Sequence, residues 1–336
     1  MLVNKLVKIA FFEIQGWEQK IINEALGEHE LRYFTDNLNA ENVKEIADFD
    51  AISVFIYSKV TKQVIDQIPK LKIITTRSTG FDHIDTETAT AKGIYVFNVP
   101  VYGDNTVAEH AFALILTLSR NIHKAYLRTT REEYGIEGLK GFDLKNKILG
   151  VVGTGAIGQN VIRIAKGFGM NVIANDYKPK PELALELGFE YKTFDELVAK
   201  ADIVTLHVPY NKSTHHLINL SNINKFKKGS IIINTARGGL IETEALIKAL
   251  DDGTISSAGL DVIEGEDLIL EEKQLLYEPD NIKNMTQLVK DHILLSKENV
   301  VFTPHIAFFS QEALERIIHT TIDNINAYIR SKTTAI

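Results

Sequence analysis

Short apolar runs alternate with stretches of helical spacing through most of this chain, and few folds tolerate that pattern. The first series has runs at 8–14, 51–56, 71–76 and 95–99. Between them, Trp17, Ile21, Ile22 and Leu26 share one helical face, and a second helical pattern covers 60–68. Uniformly apolar runs suit strands buried on both faces, and strands separated by helices pair in parallel. A second series begins at 147–152 and continues through 171–175, 202–207, 230–234, 256–261 and 299–302, before an amphipathic helix over 312–329. The character changes between the two series. Residues 101–105 are turn-rich, and Thr106-Val107-Ala108-Glu109 reads as a capping box before an apolar helix through Phe112, Leu114, Ile115 and Leu118. A hinge is expected just before that helix. The Glu-, Lys- and Leu-rich stretch 267–297 reads as helices inserted before the last strand.

At 336 residues the chain is long enough for two domains, each with its own core. A net charge of −7 argues against a nucleic-acid partner or an anionic membrane surface, so an anionic ligand must be drawn by local positive charge. The absence of cysteine excludes disulfides, thiolate catalysis and cysteine-ligated metals, and fits a reducing cytoplasm. The N-terminal run carries Lys5 and Lys8 and reads as the approach to a strand, not as a signal peptide. The longest apolar run, 111–118, is too short to span a bilayer. A cytoplasmic protein with no membrane partner is expected.

The strand Ile148-Leu149-Gly150-Val151-Val152 runs directly into Gly153-Thr154-Gly155-Ala156-Ile157-Gly158, and helical spacing follows through Val161, Ile164 and Ala165. In that context the glycines have separate tasks. Gly153 permits a tight turn, Gly155 lets the backbone approach a pyrophosphate, and Gly158 lets helix and strand pack closely. The helix N-terminus offers N–H groups to phosphate oxygens. The next strand ends in Asp176, eighteen residues beyond Gly158, where a carboxylate accepts from ribose hydroxyls and repels a 2′-phosphate. The cofactor read from this is NAD, with Lys178 a mild counter-signal. The expected fold class is α/β: two Rossmann-like or flavodoxin-like parallel-sheet domains with a cleft between them.

Arg237 follows the apolar strand Ile231-Ile232-Ile233-Asn234, and His305 follows Val300-Val301-Phe302 through Thr303-Pro304. Ligands of parallel sheets lie at the carboxyl ends of strands, where an arginine fork can hold a carboxylate and a histidine can exchange a proton. Position alone equally admits a surface arginine paired with a nearby acid. Asp261, Glu264 and Glu266 all follow one strand, and spacing does not choose which meets His305. His207 ends another strand and is expected to line the cofactor. His215-His216 reads as a loop pair, and without a third ligand at suitable spacing no metal site is expected.

With these residues placed, the chain resembles the D-2-hydroxyacid dehydrogenase family over nearly its whole length. The matching segments are Thr79-Gly80-Phe81-Asp82-His83-Ile84-Asp85, the glycine motif, His207-Val208-Pro209, Asn234-Thr235-Ala236-Arg237-Gly238, Leu260-Asp261-Val262 and Pro304-His305. The resemblance implies that Glu266 is the acid that tunes His305, which donates or accepts the proton. It implies that Arg237 binds the substrate carboxylate and carbonyl oxygen, with N–H groups at Thr79 and Gly80 adding to the carboxylate. It implies that the cofactor is bound by Gly153, Thr154, Gly155, Ala156, Ile157, Gly158, Asp176, His207, Val208, Pro209, Thr235 and Ala236, with Asp261 holding the nicotinamide amide. Tyr102 and Phe308 would wall the side-chain pocket.

Within the family the D-lactate dehydrogenase branch fits best, on Val99-Pro100-Val101-Tyr102, on His305-Ile306-Ala307-Phe308-Phe309 and on the long gap between Glu266 and His305. Ile263 departs from the pattern, since aromatic residues often precede the acid. The implied architecture is a discontinuous substrate domain, 1–101 plus 303–336, around an NAD-binding domain, 102–302. The implied assembly is a homodimer packed around 106–118. The expected reaction is reduction of a small 2-keto acid such as pyruvate to the D-2-hydroxy acid. Glyoxylate, hydroxypyruvate or a longer 2-keto acid is an alternative substrate, and an NAD-sensing corepressor is the alternative outside catalysis.

Overall fold

The computed structural model describes residues 6–266 and 282–333. They divide into two compact units, Met1–Tyr102 with Ser310–Ile336, and Gly103–Phe309. No helix among the described residues is long and apolar enough to cross a membrane.

The first unit is built from β1 (Lys8–Phe11), α1 (Gly16–Leu26), β2 (Glu30–Tyr33), β3 (Ala51–Val54), α2 (Lys62–Asp66), β4 (Ile73–Thr76), α3 (Thr86–Ala91) and β5 (Tyr95–Phe97). All pairs are parallel, in the order β2-β1-β3-β4-β5. The two-residue period of each strand divides its side chains between two cores. Ala10, Phe12, Ile52, Val54 and Ile74 face one, with Val64, Ile65 and Ile68 from the α2 region. Ile9, Phe11, Ala51 and Ile73 face the other, with Ile22 and Leu26 of α1 and Ile318, Ile322 and Ile325 of the last helix, Gln311–Thr333. That helix therefore completes a core whose strands lie some three hundred residues earlier.

The second unit opens with α4 (Asp104–Ser119), which starts one half-turn before the expected capping box. Gly103 is its N-cap, and its carbonyl accepts from Val107 N at 2.8 Å, so Thr106 lies inside the helix and is buried. There follow α5 (Ile122–Thr129), β6 (Ile148–Val152), α6 (Ala156–Gly167), β7 (Asn171–Asn175), α7 (Pro181–Leu187), β8 (Glu190–Tyr191), α8 (Phe194–Lys200) and β9 (Ile203–Leu206). The unit continues with β10 (Ser230–Asn234), α9 (Thr243–Asp252), β11 (Ile255–Leu260), α10 (Ile282–Leu295) and β12 (Val300–Phe302). Its sheet is parallel in the order β12-β11-β10-β9-β6-β7-β8. The direction of winding reverses between β6 and β9, which is where open parallel sheets bind ligands, outside the strands' carboxyl ends. Of the expected insertion at 267–297, the segment 267–281 lies outside the described residues, and α10 forms the helix that follows.

Two of this unit's close approaches between elements depend on glycine. A β-carbon at Gly158 would stand 2.0 Å from the Gly153 carbonyl oxygen, so only glycine lets α6 begin against the turn it leaves. A β-carbon at Gly259 would stand 3.0 Å from Leu114 Cβ, which lets α4 lie directly on β11. Gly158→Ala should lower unfolding stability by about 1–3 kcal/mol, the usual cost of overpacking against rigid backbone. Urea denaturation checks this, and an unchanged midpoint would contradict the contact.

Candidate active site

The turn after β6 is held open by its neighbours. Gly153 has φ +98°, donates its N–H to Asn175 O at 2.8 Å, and would bring a β-carbon within 2.5 Å of His207 O. Gly155 is different: nothing lies within 4 Å of where its β-carbon would be. It is also the N-cap of α6, and no side chain caps that helix. Bare first-turn amides beside an open backbone are the features a pyrophosphate requires, and Ala156 and Ile157 form the first turn.

Asp176 stands at the end of β7, as a ribose-facing carboxylate would. Its Oδ2 accepts from Thr154 N at 2.7 Å and Thr154 Oγ1 at 2.8 Å, and its Oδ1 accepts from Lys178 N at 2.9 Å. A carboxylate has about four acceptor positions, so one remains for a hydroxyl. Burial opposes its charge, and these hydrogen bonds outweigh that, holding the group below the usual carboxylate range.

Among the described residues, two polar atoms beneath this edge lack any partner. His207 shares one ring nitrogen, Nε2, with Thr205 Oγ1 at 2.8 Å, while its Nδ1 is buried and unsatisfied. Thr235 Oγ1 is likewise buried without a partner. A polar atom left so costs about 1–3 kcal/mol unless a ligand reaches it. Both fit a bound dinucleotide, with Val208 and Ala236 partly buried beside the core and Pro209 exposed at the rim.

Arg237 is presented by a turn that Asn234 builds at the end of β10. Asn234 Nδ2 donates to Arg237 O at 2.9 Å and its Oδ1 accepts from Ala236 N at 3.0 Å. The guanidinium donates to Ala236 O at 2.7 Å and has no ion pair among the described residues. This is not a surface arginine matched with an acid.

The three carboxylates that spacing left equal go to three different partners. Glu266 Oε1 meets His305 Nδ1 at 2.9 Å, with the two side chains 30% and 34% exposed. Glu264 Oε1 meets His216 Nε2 at 2.6 Å. Asp261 is 1% exposed, and its carboxylate accepts from Thr303 Oγ1 at 2.5 Å, Ile306 N at 3.0 Å and Ala307 N at 2.8 Å, with His110 Nε2 at 3.3 Å. Three of these donors fall on Oδ1 and only Ala307 N on Oδ2, which leaves an acceptor position on Oδ2. Burial opposes the Asp261 charge, and the bonds from His110, Thr303, Ala307 and Ile306 prevail and lower its pKa. The same contacts keep residues 303–309 with the second unit and hold His305 in a left-handed conformation, φ +53°. Phe308 lies edge-on to the His305 ring, 6.4 Å between centroids. His110 carried no sequence signal of this role; it is one polar residue on an apolar helix.

Adjacent strands thus bring Gly153–Gly158, His207, Thr235, Arg237, Glu266 and His305 to one edge of the second sheet. Thr79, Gly80 and Tyr102 belong to the first unit. There Ser78 Oγ donates to Gly80 O at 2.6 Å, Asn98 Nδ2 to Thr79 O at 2.8 Å, and Thr79 Oγ1 to Val99 O at 2.9 Å. Among the described residues neither the Thr79 nor the Gly80 N–H has a protein acceptor. The Tyr102 carbonyl accepts from Arg316 Nε.

A dinucleotide cradle beside an arginine and an acid-supported imidazole defines a dehydrogenase. Residues 112–307 match the family model described as D-isomer specific 2-hydroxyacid dehydrogenase, NAD binding domain. The chain belongs to that family and is an NAD-dependent oxidoreductase of 2-hydroxy acids. It is 36% identical to D-lactate dehydrogenase of Escherichia coli over 97% of this chain and 98% of that one. It is 37% identical to glyoxylate reductase of Thermococcus litoralis over 86% of this chain and 83% of that one. The D-lactate dehydrogenase of Aquifex aeolicus, solved with NAD and lactic acid, superposes with a TM-score of 0.84 at 36% identity, covering 96% of each chain.

Burial pushes the His207 pKa from its ordinary 6.5 down to about 3. Between those values the unfolded chain binds a proton there that the folded one refuses, so stability falls as pH drops through the window. His207→Asn should therefore lose less stability than the parent between about pH 7 and about pH 4.5. Urea midpoints at both values test this; equal losses would clear His207 of the effect.

Proposed function

We propose that this protein is a D-lactate dehydrogenase that reduces pyruvate to D-lactate. The observation that carries the reading is the Glu266–His305 pair at 2.9 Å on the same sheet edge as Arg237, which has no ion pair among the described residues. The likeness to the E. coli and A. aeolicus D-lactate dehydrogenases supports the choice of substrate. The unit Met1–Tyr102 with Ser310–Ile336 is the substrate domain, and Gly103–Phe309 is the NAD domain.

NADH, held by Gly153–Gly158, Asp176, His207–Pro209, Thr235 and Ala236, supplies the hydride. Arg237 binds the keto acid's carboxylate with its planar fork and polarises the C2 carbonyl. Among the described residues the Thr79 and Gly80 N–H groups have no acceptor, which leaves them available to a carboxylate. His305 gives its proton from Nε2 to the carbonyl oxygen, because Nδ1 is engaged by Glu266. Glu266 fixes the ring's orientation and offsets its charge. Asp261 holds the histidine's backbone segment and keeps a position on Oδ2 for the nicotinamide amide. Phe308, edge-on to the His305 ring, is the proposed wall for the substrate's methyl group.

The likeness to a glyoxylate reductase favours a second substrate within the same chemistry. Catalytic efficiencies with pyruvate, glyoxylate, hydroxypyruvate and longer 2-keto acids decide between them. No turnover with any of them would favour an NAD-sensing regulator. His305→Gln should lower kcat by about 10²–10⁴-fold while NADH binding is retained. Arg237→Lys should lower kcat/KM for the keto acid roughly tenfold or more, one charge-assisted bond being worth about 1.5–3 kcal/mol. Stopped-flow and steady-state assays read both, and parent-like rates would remove the assigned roles.

We further propose a cytoplasmic homodimer, a location that suits a chain without cysteine. Helix α4 buries Ala108, Ala111, Phe112 and Ile115 in its own unit's core, so a contact over 106–118 falls to its exposed side, at Glu109 and Ala113. The next helix, α5, buries none of its residues, and Ile122, Tyr126, Leu127, Tyr134 and Ile136 are each more than half exposed. That apolar surface is the proposed contact. Tyr126→Glu should convert a dimer to a monomer in light scattering, and a dimeric variant would refute the surface.

A further inference from the structure

The His215-His216 pair and Glu264 have no part in the reaction as assigned, yet they form an organised group. His216 takes a left-handed conformation, φ +49°, a region that few non-glycine residues occupy. Asn219 Nδ2 donates to its carbonyl at 2.8 Å, and the His215 ring stacks on its ring at 3.8 Å. From this position Nε2 reaches Glu264 Oε1 at 2.6 Å. The other Glu264 oxygen accepts from Thr243 N at 3.2 Å and Thr243 Oγ1 at 3.0 Å at the start of α9. Gln287 Nε2, from α10, lies 2.9 Å from Thr243 Oγ1 and 3.2 Å from the Glu264 carbonyl. Burial opposes the Glu264 charge, and the bonds from His216 and Thr243 keep its pKa below the ordinary value.

Each side of this group is one or two residues from a proposed active-site side chain. On one side, His216 N donates to Gly239 O at 2.9 Å and Ile218 N to Leu240 O at 3.0 Å, which fastens the segment directly after Arg237. On the other, Glu264 is joined to Glu266 by Gly265, at φ +73°. The two sides also touch through backbone. A β-carbon at Gly238 would stand 1.9 Å from Ile263 O and 2.5 Å from Glu264 N. One at Gly239 would stand 2.7 Å from the Tyr210 ring, which contacts His215 through Oη to Nδ1 at 3.0 Å.

We propose that the His216–Glu264 pair is a positioning device that holds the Arg237 turn and the Glu266 loop in fixed register. It rests on the roles proposed above for Arg237 and Glu266. The pair locks two loops that leave neighbouring strands, β10 and β11, and that meet where Gly238 faces Ile263 and Glu264 and where Thr243 bonds the Glu264 carboxylate. Without it the contact can slide, and Arg237 and Glu266 move apart together. Displacement of about 1 Å in such groups costs on the order of 100-fold in rate.

Glu264→Ala, Glu264→Gln and His216→Asn test the idea, the last because asparagine accepts the left-handed backbone. Purified proteins are compared for Tm, NADH affinity by fluorescence, kcat and KM for pyruvate, and oxamate affinity in the presence of NADH. In Glu264→Ala and His216→Asn we expect kcat/KM to fall about 10–100-fold, with kcat lowered and KM raised together. Oxamate should bind roughly tenfold more weakly, while NADH affinity stays within about twofold. Glu264→Gln can accept from Thr243 through its amide oxygen and donate to His216 Nε2 through its amide nitrogen, and should recover to within about fivefold of the parent. The double variant should be no worse than either single one. Parent-like kcat/KM and oxamate affinity in folded Glu264→Ala would overturn the proposal. So would a loss that follows NADH affinity, or Glu264→Gln as impaired as Glu264→Ala. A parent without turnover on any 2-keto acid tells against the proposed function instead, and oxamate affinity still reads the positioning.

Discussion

Asp261, at the end of β11, is 1% exposed, and a lone carboxylate so placed would be too costly to keep ionised. The cost is met by donors drawn from one short segment and one helix. Thr303, Ile306 and Ala307 all turn toward it, with His110 from α4, and the His305 N–H donates to its backbone carbonyl at 2.9 Å. A segment wrapped so closely around one carboxylate cannot remain extended after β12. Its left-handed residue is His305, whose ring then lies within hydrogen-bond distance of Glu266. Removing one partner of such a buried charge typically costs about 3–5 kcal/mol, so the imidazole's place is fixed by stability as well as by function.

The same sheet explains why residues far apart in the chain share one edge. Parallel strands all end on the same side, and the order β12-β11-β10-β9-β6 sets five carboxyl ends in a row. The glycine turn follows β6, His207 follows β9, Arg237 follows β10, Glu266 follows β11 and His305 follows β12. Along that row the groups pass from the bare amides of the glycine turn, through buried neutral polar atoms, to a cation and then a carboxylate–imidazole pair. Nucleotide and 2-hydroxy acid need that sequence of environments in that order.

Much of this was legible because buried parallel strands are continuous apolar runs. The segments 171–175 and 230–234 match β7 and β10 to the residue, and the glycine turn is placed by its flanking strand. The edge strands β2 and β8 were not anticipated: Glu30–Tyr33 and Glu190–Tyr191 are half solvated and carry no apolar run. The start of α4 was misread because Thr106 and Glu109 have the composition of a cap, while Gly103, with no side chain to signal it, does the capping. The carboxylates show the deeper limit. Asp261, Glu264 and Glu266 are indistinguishable by spacing, and what separates them is contact with Thr303, His216 and His305, each more than thirty residues away. The resemblance to a family selected Glu266; only coordinates give Glu264 its partner and Asp261 its donors.

The helix Gln311–Thr333 bears on how the chain comes to be folded during synthesis. Ile9, Phe11, Ile22 and Leu26 emerge first, but the Ile318, Ile322 and Ile325 side chains that complete their core emerge last. The second unit's residues all lie between, so nothing prevents it from maturing while the first is still half-covered. An apolar sheet face left waiting in this way is a natural client surface for holding chaperones. Closing a loop of that length is also entropically slow, because non-local contacts reward the chain only at the end. In a nascent protein of this design, the site that grips the cofactor can be ready before the unit that carries Thr79 and Gly80 has finished folding.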